Sequence, residues 1–203
     1  PDPLRAAAEV QAKTATETEV QVNHDPDYYP TPPDVVSTML AYVPNHVRGE
    51  GTIRILEPSA GNGTIIRKAL AWWPWAEVYW CETNYTARKF LAALKREMKG
   101  MTVQELGADF MEVETDLRFD VVLMNPPFSR NQWKHHVQKA YGLLKPGGRL
   151  VSIAPREAER YNTENGTFSG WIRSLEWDAV PLPNNAFESS GTNTQTHVLV
   201  IDK

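Results

Sequence analysis

The sequence predicts an α/β domain: a doubly wound, mostly parallel sheet with an antiparallel C-terminal hairpin. Three observations carry this. Short apolar runs alternate with longer stretches of helical spacing, as in repeated strand–helix–strand units. Polar residues follow four of those runs, at Glu57, Glu82, Asp109 and Asn125. Ligands in such sheets sit beyond the carboxyl ends of the strands, so the placement is self-consistent. The last two runs, Trp177–Pro181 and Thr196–Ile201, are expected to pair as a hairpin.

Residues 1–27 are polar, with an Ala-rich patch at Leu4–Ala12, and are expected to form a weakly held arm before a single domain over 28–203. Tyr28-Tyr29-Pro30-Thr31-Pro32-Pro33 is stiff and extended, because its prolines fix φ. Asp34 then opens a helix with Val35, Val36, Met39, Leu40 and Val43 on one face. Ile53–Leu56 reads as a strand and Ile65–Trp72 as a helix. Glu77–Cys81 is the next strand, and Thr86–Lys99 an amphipathic helix stopped by Gly100. Thr102–Leu106 and Phe119–Met124 are strands. Gln132–Leu144 is a helix ended by Lys145-Pro146-Gly147-Gly148, and Leu150–Ala154 a strand.

Composition narrows the function classes. The 203 residues suffice for one sizeable core, and 41% hydrophobic with 23% charged residues is ordinary for a globular protein. No apolar run approaches membrane-spanning length, and the polar N-terminus does not read as a secretory signal. Pro1 in place of Met implies a start inside a longer chain. A single cysteine, Cys81, leaves no internal disulfide and fits a reducing, cytoplasmic setting. The five histidines lack ligand spacing, so no metal is expected. A net charge of −4 argues against a general, strongly basic nucleic-acid binder, though a local basic face is compatible with it.

The most informative stretch is Asn125-Pro126-Pro127-Phe128, directly after the apolar run Phe119–Met124. Asn125 and Pro126 each precede a proline and are pushed into extended conformations. The result is a rigid ledge showing an amide, carbonyls and an aromatic ring. It reads either as a proline-rich turn capping a strand or as a seat for a flat amine. Upstream, the first strand runs into Glu57-Pro58-Ser59-Ala60-Gly61-Asn62-Gly63-Thr64. Gly61 and Gly63 permit a tight turn against a ligand. The third glycine of a dinucleotide fingerprint is missing, and no Gly-Lys-Ser/Thr follows as in a P-loop. A strand-end carboxylate suits a cationic ligand, such as a sulfonium with an α-ammonium, better than phosphate. Two glycines alone read more readily as a helix entry. Glu82 lies about twenty residues further on, where a carboxylate holds ribose hydroxyls. Asp109 is placed to accept from an adenine amino group, with Phe110 to stack on the ring. Three carboxylates after three successive strands are harder to dismiss than any one.

This series resembles the motifs of S-adenosylmethionine-dependent amino-group methyltransferases, and within them the DNA N6-adenine enzymes, over roughly residues 28 to 202. The resemblance implies a Rossmann-like methyltransferase sheet. It implies cofactor binding by Tyr29, Thr31, Pro32, Glu57, Pro58, Ser59, Ala60, Gly61, Gly63, Glu82, Asp109, Phe110 and Asn125. Asn125, Pro126, Pro127 and Phe128 resemble the catalytic tetrapeptide. Phe187, Ser190, Gly191 and Thr192 resemble a late loop bordering the target base. The chemistry fits: hydrogen bonds from both amine N–H groups to the Asn125 oxygen and the Pro126 carbonyl would localise the nitrogen lone pair and stabilise its developing charge. A duplex substrate must have its base flipped out. A Cys-nucleophile mechanism is disfavoured, since Cys81 lies outside the ledge.

Beyond the ledge, Arg130 and Lys134 form a basic cluster that reads as a phosphate contact or as a solvated helix start, with Arg156 and Arg160 in the polar stretch after the next strand. The residues after Phe128 are mostly spent on sheet strands, leaving no room for a separate target-recognition domain. Weak sequence preference, or recognition supplied by a partner, is expected of such a small phage- or mobile-element-like relative of restriction-modification enzymes. The rivals are an RNA N6-adenine enzyme, a protein-glutamine or guanine-N2 methyltransferase, and a cofactor-binding non-catalytic subunit.

Overall fold

The computed structural model describes residues 29–44, 51–157 and 166–203. The expected N-terminal arm, Tyr28 and Arg160 lie outside the described residues. The elements run α1 (Pro33–Ala41), β1 (Arg54–Glu57), α2 (Thr64–Trp72), β2 (Glu77–Cys81), α3 (Tyr85–Glu97), β3 (Thr102–Gly107), β4 (Phe119–Met124), α4 (Gln132–Gly142), β5 (Leu144–Pro155), α5 (Thr167–Ile172), β6 (Glu176–Pro181) and β7 (Thr196–Asp202). One seven-stranded sheet has the order β3-β2-β1-β4-β5-β7-β6. β3, β2, β1, β4 and β5 pair in parallel, and β7 runs antiparallel between β5 and β6. The doubly wound sheet and the terminal hairpin are as the sequence predicts.

Strand alternation shows how the two layers form. On β1, Ile55 enters one core and Leu56 the other; on β4, Val121 and Leu123 face one side, Val122 and Met124 the opposite. A strand buried on both faces needs consecutive apolar residues, which Ile55–Leu56 and Val121–Met124 supply. One core takes Val36, Met39 and Leu40 from α1, Ile66 and Leu70 from α2, and Leu91 and Leu94 from α3. The other takes Trp133 and Val137 from α4 and Phe168 and Ile172 from α5. Asn84 caps α3 by accepting from the Thr86 and Ala87 N–H groups. No helix among the described residues is long and apolar enough to cross a membrane.

Two boundaries differ from expectation. α1 starts at Pro33, with Pro32 as its N-cap, rather than at Asp34; proline at the first helical position loses no intrahelical bond. Lys145–Gly148 does not end a helix directly. α4 stops at Gly142, and Lys145–Gly148 is looped out inside β5, between the pairs Phe119–Leu144 and Val121–Arg149. Gly147, at φ +78°, allows that excursion. Lys145 Nζ donates to both Asp120 oxygens at 2.8 Å, which fastens the excursion to β4. At the same rim of the sheet Arg149 donates to Asp202 and to the Tyr42 carbonyl, tying α1 to β5 and β7.

Candidate active site

The parallel strands β1, β2, β3 and β4 all end on one rim, so their following loops converge. The Glu57–Thr64 loop is folded by short backbone bonds. The Gly63 N–H donates to the Ala60 carbonyl at 2.8 Å, and the Ala60 N–H to the Cys81 carbonyl at 2.9 Å. Gly63 has φ +79°, and a Cβ there would come within 2.9 Å of Leu91 Cδ2. The left-handed backbone here calls for glycine, and a Cβ would in addition press on the Leu91 side chain. Glu82 fastens this loop to β2: its Oε2 accepts from the Gly61 N–H at 2.6 Å and its Oε1 from the Asn84 N–H at 2.7 Å. Asn62 Oδ1, which sequence reasoning left unassigned, accepts from the Thr64 N–H and hydroxyl.

These loops enclose a cavity of about 250 Å³, lined by Pro58, Ser59, Ala60 and Gly61 from the first loop and by Glu82, Asp109 and Phe110 from the next two strand ends. Tyr29, Thr31, Asn125 and Pro127 close its far side. Asp109 accepts from the Met111 N–H at 2.8 Å, capping the short turn that carries Phe110. Lys139 Nζ on α4 donates to the Met111 and Val113 carbonyls and clamps this turn to the helix. Of the residues expected at the cofactor, Pro32, Glu57 and Gly63 do not line the cavity. Pro32 caps α1, Gly63 shapes the turn, and Glu57 is fully buried directly behind Pro58.

Glu57 and His136 set the electrostatics. Burial holds the Glu57 carboxyl well above its ordinary range, and the nearby Glu82 carboxylate adds to the effect. Its Oε1 accepts from the Ser59 N–H at 3.3 Å, while its Oε2 has no hydrogen-bond partner among the described residues. His136 is only 6% exposed and lines the cavity, its ring 5.7 Å from that of Phe110. Burial lowers its pKa, which favours the neutral ring. Its Nδ1 meets the Gln132 carbonyl at 3.1 Å; a carbonyl only accepts, so Nδ1 carries the proton. Helical spacing from Trp133 through Val137 and Ala140 already places His136, and not His135, on the buried face; packing decides that this face meets the cavity.

The cavity wall thus carries two carboxylates and neither lysine nor arginine. An acidic wall, with a buried and unpartnered carboxyl oxygen behind it, fits a cation and disfavours a phosphate. S-adenosylmethionine, with its sulfonium and α-ammonium, fits this donor set.

Asn125 stands where the first cavity meets a second one. Its Nδ2 donates to the Tyr29 carbonyl at 3.2 Å and to Thr31 Oγ1 at 3.1 Å. The Tyr29 carbonyl only accepts, so the amide nitrogen must face it. The oxygen therefore points away from Tyr29 as an acceptor. The second cavity, about 50 Å³, is lined by Tyr29, Asn125, Pro126, Phe128, Phe187, Thr192, Thr194 and Thr196. Successive ledge residues thus face different hollows: Pro127 the larger, Pro126 and Phe128 the smaller. Ser190 and Gly191 do not line either of these hollows; Ser190 Oγ donates to the Pro30 carbonyl at 2.6 Å, tying the late loop to the Tyr29–Pro32 segment. Thr194 and Thr196 were not among the sequence-predicted residues.

Neither Arg130 nor Lys134 lines the two hollows. Lys134 Nζ lies 5.7 Å from the Trp133 ring centroid and 5.8 Å from that of Phe168. Arg130 is exposed and left-handed at φ 54°, and Asn131 follows at φ 60°, which turns the chain sharply from the ledge into α4. Cys81 is buried, and its thiol is pushed up to about 12, chiefly by burial, so it carries no nucleophilic thiolate at neutral pH.

Comparison with known proteins supports the architecture. A protein from Listeria monocytogenes assigned to the class I S-adenosylmethionine-dependent methyltransferases superposes with TM-score 0.65 at 15% identity, over 99% of this chain and 68% of that one. A dimethyladenosine transferase from Plasmodium falciparum gives 0.64 at 14%, over 85% and 62%. The N-methyltransferase NodS from Bradyrhizobium japonicum, in complex with S-adenosyl-L-homocysteine, gives 0.59 at 15%, over 97% of each. At such identities the likeness is one of fold. A search of the curated proteins found no match. The description of the methyltransferase small domain family, by contrast, matches residues 32–171, which span the acidic strand tips, the glycine turn and the ledge. The chain therefore belongs to the methyltransferase small domain family.

Proposed function

We propose that this chain methylates the exocyclic N6 amine of adenine in DNA, with low or partner-supplied sequence specificity. One observation carries the reading. Asn125 belongs to the walls of both cavities, and its nitrogen is held by Tyr29 and Thr31, so its oxygen is the acceptor presented to an incoming amine.

Pro58–Gly61, Glu82, Asp109 and Phe110 would hold the cofactor in the larger cavity, with Glu57 behind them. Bound there, S-adenosylmethionine supplies an electrophilic methyl carbon. The chain's own residues do the rest. Asn125 Oδ1 and the Pro126 carbonyl accept the two N–H groups of the amine, which holds its lone pair out of ring conjugation and stabilises the charge it gains. Phe128 and Phe187 wall the smaller cavity and offer faces for a flat ring. Its lining contains no charged residue, which suits a neutral heteroaromatic amine better than a carboxylate or ammonium acceptor. Positioning of amine against methyl supplies the other large contribution. A base reaches this site only when unpaired or flipped.

The test is incubation with methyl-labelled S-adenosylmethionine and, separately, duplex DNA, single-stranded DNA, RNA and protein extract, followed by nucleoside analysis. Label is expected in N6-methyladenine from DNA. Label confined to protein would overturn the reading, and label in RNA alone would replace DNA with RNA.

A further inference from the structure

The wall of the smaller cavity contains a buried hydroxyl that the fold does not use. Thr196 opens β7, is 4% exposed, and shares the cavity wall with Phe128 and Phe187. The neighbouring hydroxyls are satisfied by each other: Thr192 and Thr194 Oγ1 lie 2.9 Å apart, and the Thr194 N–H donates to Thr192 Oγ1 at 3.2 Å. The Thr196 backbone is engaged too, its carbonyl accepting from the Leu182 N–H at 3.0 Å. Of the three threonine hydroxyls in this cavity wall, that of Thr196 alone has no hydrogen-bond partner among the described residues. A buried hydroxyl without a partner opposes folding. Valine would fill the same strand position with nearly the same shape and no such cost. Threonine here is accounted for if a ligand completes the hydrogen bond.

We propose that the Thr196 hydroxyl reads the ring nitrogen beside the acceptor amine of the target base. This rests on the amine-acceptor reading of Asn125 and adds what selects the ring that carries the amine. An amide oxygen accepts from any amine and so discriminates little. A hydroxyl can donate one hydrogen bond, and adenine places an unprotonated ring nitrogen, N1 or N7, on each side of its amine. Thr196 shares this cavity with the ledge because β7 runs antiparallel and brings its first residues to the rim where β4 ends. Asn125 would then fix the amine and Thr196 the ring, leaving one orientation for the base between the two phenylalanines.

The experiment compares three proteins, the native chain, Thr196→Val and Thr196→Ser, on DNA oligonucleotides carrying adenine, 1-deazaadenine or 7-deazaadenine at every adenine position. The native chain is expected to lose about tenfold or more in kcat/KM on one of the two analogues. Thr196→Val should show that loss already on adenine and lose nothing further on the same analogue. Thr196→Ser, which keeps the hydroxyl, should recover adenine turnover and the preference. Cofactor binding should be equal in all three. Indifference of the native chain to both analogues overturns the proposal even if a variant fails to fold. So does a Thr196→Val protein that discriminates as the native chain does. Native turnover on adenine with an unaffected Thr196→Val sinks this inference alone, whereas no native turnover on adenine sinks it together with the amine reading.

Discussion

The two hollows that meet at Asn125 are made from opposite halves of the sheet. The larger gathers the loops after β1, β2, β3 and β4, and its wall carries Glu82, Asp109 and a neutral His136. The smaller reaches toward β7 and is walled by prolines, aromatics and threonines around the shared Tyr29 and Asn125. Parallel strands deliver only their carboxyl ends to this rim, and each such end here turns into a loop bearing a carboxylate or an amide. β7 runs the other way and delivers its beginning, where Thr194 and Thr196 stand. Strand direction thus separates an acidic side from a neutral side, and one amide joins them.

If Asn125 is that junction, Asn125→Ala should lower kcat by about 10²–10³, the usual cost of losing one preorganised partner of developing charge. Cofactor affinity, measured by calorimetry, should stay within about twofold, because the acidic wall is intact. Equal loss of both would mean that the hollows are not separately used.

Phe128→Leu tests the neutral side alone. Leucine keeps the packing that Phe128 makes against both cores but removes the stacking face. KM for nucleic acid should rise about tenfold, in line with stacking worth about 1–3 kcal/mol per base. Cofactor binding should not move.

Gly63→Ala tests the acidic side through its turn. A side chain at φ +79° costs about 1–2 kcal/mol, and the Leu91 contact adds to it. Differential scanning should show a melting temperature lower by about 2–8 °C. An unchanged melt would mean that the turn relaxes freely.

Glu57 gives the smallest effect, read in pH. It binds its proton more tightly in the folded chain than in the unfolded one, where the ordinary value is 4.5. Its contribution is therefore full below that value and is lost as pH rises above it. Without cofactor, the melting temperature should fall as pH rises above about 4.5, and fall less in Glu57→Gln. With saturating S-adenosylmethionine the native chain's decline should shrink, since a cation nearby favours the carboxylate. Parallel curves for the two proteins would remove Glu57 from the account.

The amino-acid sequence by itself determined the elements and the four polar strand tips. Alternating burial along Ile55–Leu56 and Val121–Met124 is a local, period-two pattern, and Gly61, Gly63 and the two prolines of the ledge write backbone geometry directly into the chain. Tertiary structure decided which residues meet. The face that carries His136 looks onto the larger cavity while Arg130 stays exposed, Lys134 rests over Trp133 and Phe168, and Thr196 joins Phe128 in one cavity wall from a strand of reversed direction. Periodicity reports the face a residue takes within its own element. Only the strand order β3-β2-β1-β4-β5-β7-β6 fixes what that face looks onto, because contacts between distant segments come from packing and leave no mark on neighbouring residues.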